Sequence, residues 1–153
     1  MNKSQIRQSI LDKLREEFAM RLRVSKVTRD EGNSPESKAE SKYDTLAIEE
    51  NYLADGLARQ AHAAGEAAAQ IEAMALPVFG ANDPIGIGAL VELAFDEETE
   101  WFFLATAGSG TEVEHAGKTV TVLTPHSPLG AQLLGLRASA RTKSPAATVL
   151  GVS

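Results

Sequence analysis

RDEGNSPESKAESKYD, residues Arg29 to Asp44, is the stretch whose reading decides the fold. It reads as the tip of a long helical hairpin. Gly32 and Asn33 tolerate positive φ and can end one helix. Ser34 can cap the next, Pro35 suits its first turn, and Glu36 falls where the helix dipole favours a carboxylate. Asp30, Glu31, Glu36, Glu40 and Asp44 crowd acidic charge around this reversal. Such a tip reads either as a well-capped, solvated turn or as a probe that carries carboxylates into a partner's site.

Outward from the tip, the pattern on both sides is helical. From about Lys3 to Glu31 there is no Gly or Pro, and Ile6, Ile10, Leu11, Leu14, Phe18 and Leu22 recur at helical spacing as one apolar stripe. A second helix is expected from about Pro35 to Met74, with Leu46, Leu53, Leu57, Ala64, Ala67, Ile71 and Met74 close to a coiled-coil repeat. A reversal at Gly32 and Asn33 sets Leu22 near Leu46, Leu14 near Leu53 and Ile10 near Leu57. The alanines from Ala58 to Ala69 favour helix, and Gly56 and Gly65 suit bending or close contact with the first helix.

The remainder reads as strands. Pro77 ends the helix, and Gly80, Pro84 and Gly86 mark a loop. Ala89 to Phe95 and Glu100 to Ala105 predict a hairpin turning at Asp96 to Thr99, with Trp101 as a sheet core residue. Lys118 to Leu123 and Thr148 to Val152 predict further strands, and Gly108-Ser109-Gly110 a turn. Ser127 can cap a short helix that starts at Pro128, places Leu129, Leu133 and Leu134 on the sheet, and stops at Gly135. The expected fold class is α+β: an antiparallel helical hairpin over residues 1–76, a linker over 77–86, and a small antiparallel-sheet domain over 87–153.

Composition narrows the function. The chain has 153 residues, 43% of them hydrophobic but only 5% aromatic, so its core is mostly aliphatic. A formal net charge of -6 argues against a dedicated DNA or RNA binder. Without cysteine there is no disulfide and no thiolate metal site, which is compatible with a cytoplasmic location. No apolar run approaches the ~20 residues of a membrane span, and the start of the chain lacks a signal-peptide core. His62, His115 and His126 show no metal-ligand spacing, and His126-Ser127 is not a nucleophilic triad, so a free-standing enzyme is not expected. Tip carboxylates cannot cage a cation alone, but Mg²⁺ needs only one or two of them, and they can complete a site in a partner.

Two features resemble the transcript-cleavage factors of bacterial RNA polymerase, the GreA/GreB family. One is the acidic-tipped hairpin ahead of a small sheet domain. The other is Ser127-Pro128-Leu129-Gly130-Ala131-Gln132-Leu133-Leu134-Gly135, which resembles the family's S-P-L-G-x-A-L-L-G segment with Gln132 in place of Ala. At the tip, Glu36 matches the family's functional Glu, while Asn33 stands where the family has Asp; Asp30 and Glu31 are the acids that can replace it. Arg137-Ala138-Ser139-Ala140 replaces the family's G-D pair, which marks a divergent member. The resemblance implies an FKBP-like second domain without isomerase activity. It also implies docking on RNA polymerase through Ser127, Pro128, Leu129 and Gly130, with Asn33 touching the partner at the tip. Contact with nascent RNA is then indirect. Glu36, with Asp30 and Glu31, helps hold a Mg²⁺ shared with the polymerase, whose own hydrolysis the chain stimulates. The alternatives are a non-cleaving secondary-channel regulator and a coiled-coil interaction module unrelated to polymerase.

Overall fold

Asn2 opens the first helix: its side-chain oxygen accepts from the backbone N–H of Ser4 at 3.0 Å and of Gln5 at 3.2 Å, an N-cap that satisfies two donors with no helical partner. Helix α1 then runs Lys3–Gly32 and helix α2 runs Thr45–Ala73 in the computed structural model, which describes residues 1–32 and 45–153. The expected reversal at Gly32 to Ser34 reaches beyond the described residues. Two compact units result, one of Leu14–Glu66 and one of Met1–Lys13 with Ala67–Ser153.

In the Leu14–Glu66 unit the two helices are antiparallel, but the seam is not the one that periodicity placed. Ser25, buried, donates its hydroxyl to the Ala54 carbonyl at 2.7 Å. The Phe18 ring lies on Gly65, where an added Cβ would come within 3.1 Å of it. Each α1 position therefore meets a point further along α2 than a reversal centred on Gly32 and Asn33 allows. Leu22 and Leu53, expected in the seam, are 48% and 57% exposed. Ala54 and Ala61, which that stripe did not include, are buried beside two residues that it did, Ala64 and the half-buried Leu57, at three- and four-residue spacing. The physical reason is distance: small side chains let two backbones approach until a serine hydroxyl reaches the facing carbonyl, and a leucine there would hold them apart. Arg29 pairs with Asp55 across the same unit.

The other unit holds a sheet in the order β3-β4-β2-β1-β5. Its strands are β1 Leu90–Phe95, β2 Glu98–Leu104, β3 Glu112–His115, β4 Lys118–Leu123 and β5 Thr148–Val152, with a short helix, α3, at Pro128–Leu133. Four of the five strands and the helix match the expectation; β3, between the turn at Gly108-Ser109-Gly110 and the strand at Lys118, was not among the expected strands. It is an edge strand of four residues in which Glu112 and Glu114 alternate with a single buried apolar residue, Val113, so its periodicity is barely visible. Ala116 and Gly117, at φ +52° and +72°, make the two-residue turn that returns the chain into β4. The sheet is antiparallel except where β4 lies parallel to β2, pairing Trp101 with Val120 and Phe103 with Val122.

Alternation along these strands buries both faces. On one, Val91, Leu93, Phe102, Leu104, Val149 and Leu133 of α3 form one core cluster. On the other, Leu90, Phe103, Val120 and Val122 are fully buried. Trp101 falls short of the core role expected of it: at the middle of β2, paired with Glu92 on one side and Val120 on the other, it is only half-buried, with the Lys118 ammonium 4.7 Å from its ring centre. The first turns of α1 belong to this unit, tied by Arg7 donating to the Met74 carbonyl at 3.0 Å and Lys13 to the Glu112 carbonyl at 2.6 Å. Among the described residues no helix is long and apolar enough to cross a membrane.

Candidate functional site

Two places were singled out in the sequence, the hairpin tip and the segment Ser127 to Gly135. At the tip, Asp30 is exposed on the last turn of α1. Glu31 is helical, and its side chain lies outside what the structure describes, as do Asn33 and Glu36. Among the described residues no group of three or more His, Asp or Glu side chains is placed to hold a metal ion. Asp30 therefore offers one carboxylate and not a site by itself.

The segment around α3 is described in full, and each of its residues has a local reason. Ser127 has extended backbone, φ -76° and ψ 147°, which places it just outside the helix. Its hydroxyl oxygen donates to the Thr124 carbonyl at 2.8 Å and accepts from the Gly130 N–H at 3.1 Å. Pro128, whose missing N–H costs nothing in a first turn, is the first helical residue. Gly130 is buried so closely on the preceding loop that an added Cβ would lie 2.0 Å from the Thr124 carbonyl oxygen. Leu133 is fully buried in the core and Leu129 is half-buried against it. Gly135, at φ +81°, ends the helix in the left-handed region and donates its N–H to the Ile85 carbonyl at 2.9 Å.

Two details depart from expectation. Leu134 does not join the sheet: it is 37% exposed, and Leu136 packs on the core in its place, because the chain leaves the helix at Leu134 and turns through Gly135. Pro128 and Ala131 are exposed on the same short helix. Gln132, where the family pattern has Ala, is a clamp that sequence reasoning passed over. Its amide nitrogen donates to the Ser144 carbonyl at 2.7 Å and the Pro128 carbonyl at 3.2 Å. Its amide oxygen accepts from the N–H groups of Lys143 at 2.8 Å and Ser144 at 3.3 Å. The signal for this was only the substitution itself; its partners lie eleven and twelve residues away, across a loop.

The histidines stay apart. His62 lies 3.3 Å from Glu66 one turn along α2, His115 accepts from the Asn2 N–H at 3.3 Å, and His126 is exposed. Tyr52 is 72% exposed and does not pack on the hairpin.

No family model and no curated protein matches the chain. Among solved structures, the crystal structure of GreA factor homolog 1 (Gfh1) of Thermus thermophilus is similar at 18% identity, with 96% of this chain and 94% of that one covered and a TM-score of 0.37. The crystal structure of Thermus aquaticus Gfh1 is similar at 17% identity, with 95% and 92% covered and a TM-score of 0.35. At such scores the likeness carries nothing further about site or activity.

Proposed function

We propose that the chain is a GreA/GreB-type transcription elongation factor that binds RNA polymerase in its secondary channel. The observation that carries this reading is the Ser127 to Gly135 segment. Its resemblance to the family motif extends to positions with distinct physical duties: cap, first turn, close approach, core anchor and stop. An antiparallel helical hairpin on the same chain supplies the second part. The sheet-bearing domain docks on the polymerase, and the hairpin reaches towards the active centre. A Mg²⁺ held there supplies activation of the attacking water. The chain's own part is to bring Glu36, or Asp30 and Glu31, into reach of that cation as a negatively charged oxygen ligand. It does not hold the ion alone and is not an enzyme alone.

Asn33 favours a second version of the same reading. It offers a carbonyl oxygen without charge where the family has a carboxylate, so the native chain holds a shared Mg²⁺ weakly. That describes a secondary-channel regulator with little or no cleavage. The test is RNA shortening in a backtracked elongation complex titrated with Mg²⁺, beside a binding measurement on core polymerase. Binding by the native chain, cleavage raised by Asn33→Asp and residual cleavage abolished by Glu36→Ala are the expected results. Strong native cleavage that survives Glu36→Ala shifts the role to Asp30 and Glu31. Absence of binding removes the polymerase and leaves a coiled-coil interaction module.

A further inference from the structure

The Leu14–Glu66 hairpin unit has two unlike faces. Ser25 and Ala54 mark its seam, since the serine hydroxyl bonds the Ala54 carbonyl. Helical residues step about 100° each, so in an antiparallel pair the residue just before Ser25 and the residue just before Ala54 turn to the same side of the hairpin. These are Val24 and Leu53. Met20, five before Ser25, and Val27, two after it, come round to that side as well. All four are about half exposed. Glu17 and Arg21, nearer the seam on this side, pair with each other. The opposite side is crossed by an ion pair instead: Asp55, just after Ala54, meets Arg29, with Lys26 and Leu22 exposed beside them. Gly56, two after Ala54, lies on the apolar side next to Leu53. A Cβ added there would meet only the end of the Arg59 side chain, at 4.0 Å, whereas at Gly65 it would press on the Phe18 ring. Glycine is costly in a helix interior, and among the described residues nothing in the chain itself uses the notch at Gly56.

We propose that this face is an interface between two copies of the chain, which pack their hairpins into an antiparallel four-helix bundle. The occupant follows from self-complementarity. One helix of the face carries a ridge, Met20, Val24 and Val27 at helical spacing, and the other carries a notch, Gly56 beside Leu53. A two-fold axis along the hairpin lays α1 of each copy over α2 of the other, so ridge meets notch twice in one closed, isologous contact. Because the Ser25 level on α1 is the Ala54 level on α2, Val24 of the second copy comes down between Leu53 and Gly56. A partner without that pairing would fill one half of the face and leave the other open. The contact buries apolar side chains left over by a seam that is only one line wide, and it brings no unpaired charge inside.

Sedimentation equilibrium of the full chain, from about 1 μM to about 1 mM, is expected to show monomer and dimer in exchange, with the dimer persisting at high salt. Val24→Asp is expected to raise the dimer dissociation constant about tenfold or more while leaving the thermal midpoint of the dilute chain unchanged, since the position is exposed in the monomer. Gly56→Leu separates association from folding. Leucine favours helix over glycine and the site is open, so the dilute chain should melt no lower, yet the dimer should weaken about tenfold because the notch is filled. The chain has no cysteine, so single-cysteine variants report the arrangement: Val24→Cys mixed with Leu53→Cys should cross-link faster than either alone. A chain that stays monomeric at about 1 mM overturns the inference, as does a dimer whose dissociation constant moves by less than about twofold in both Val24→Asp and Gly56→Leu. Cross-linking that is fastest for Val24→Cys with itself overturns the two-fold arrangement. The inference does not rest on the polymerase reading, and none of these outcomes bears on it.

Discussion

The sheet-bearing unit and the Leu14–Glu66 hairpin unit bury different kinds of side chain. In the first, the largest apolar side chains go inside: Phe103, Leu90, Leu93, Leu104 and Leu133 have essentially no exposure. In the second, Ala54, Ala61, Ala64 and a serine are inside with one leucine, Leu14, while Leu22, Leu53, Met20 and Val27 are about half exposed. A sheet with cover on both faces has volume to fill, and large side chains fill it best. Two helices alone share one narrow line of contact, and there small residues win by bringing the backbones together. Apolar content is thus a poor guide to which leucines matter here, and the number of layers above a residue is the better one.

The comparison makes graded demands. The largest effect belongs to the sheet-bearing unit: Leu133→Ala should cost about 2–5 kcal/mol in urea unfolding, because it empties a fully buried core position. A loss below half of that range would place α3 outside the core. Next comes the hairpin seam. Ala61→Leu, at a position with no exposure, should destabilise by about 1–3 kcal/mol, seen as faster hydrogen exchange in α2, since the added volume forces the helices apart. A stabilised variant would mean the seam has room, and the small-residue account would fail. Smaller still, Leu53→Ala and Leu22→Ala should each change stability by no more than about 0.5 kcal/mol, despite being leucines in an apparently heptad-like stripe. A core-sized loss from either would restore the register that periodicity suggested.

The smallest expected effect is a pH dependence at Lys3. Its ammonium donates to the Pro77 and Gly88 carbonyls and lies 4.8 Å from the centre of the Phe79 ring. Burial lowers its pKa below the usual lysine value, so the folded state gives up the proton before the unfolded state does. Its desolvation penalty is therefore fully present below the folded pKa and is relieved as pH rises to the unfolded value, over which window stability increases. Lys3→Met should flatten that slope in alkaline thermal melts. An unchanged slope would show that the penalty is screened by solvent.

Much of the molecule could be read along the chain because its signals are local. The limits of α1, the end of α2 near Met74, the cap at Ser127 and the stop at Gly135 each depend on backbone demands within a few residues, and each was found where expected. So was the alternation that makes β1, β2, β4 and β5. Of the candidate site, the segment around α3 was legible as a motif, while the fit of Gly130 against the Thr124 carbonyl and the Gln132 clamp were not.

What only the tertiary structure decided has a common form: one residue's role set by another far away in sequence. The hairpin register depends on how near two backbones come, which a stripe of leucines on each helix cannot reveal. The parallel pairing of β4 with β2 depends on a strand, β3, that carries too little apolar pattern to be seen alone. Leu134 is turned out and Leu136 in because Gly135 bonds to Ile85, fifty residues earlier. Local propensity is written in neighbouring residues and so survives in the sequence; distance between segments is a property of the folded chain, and these roles exist only once that distance has closed.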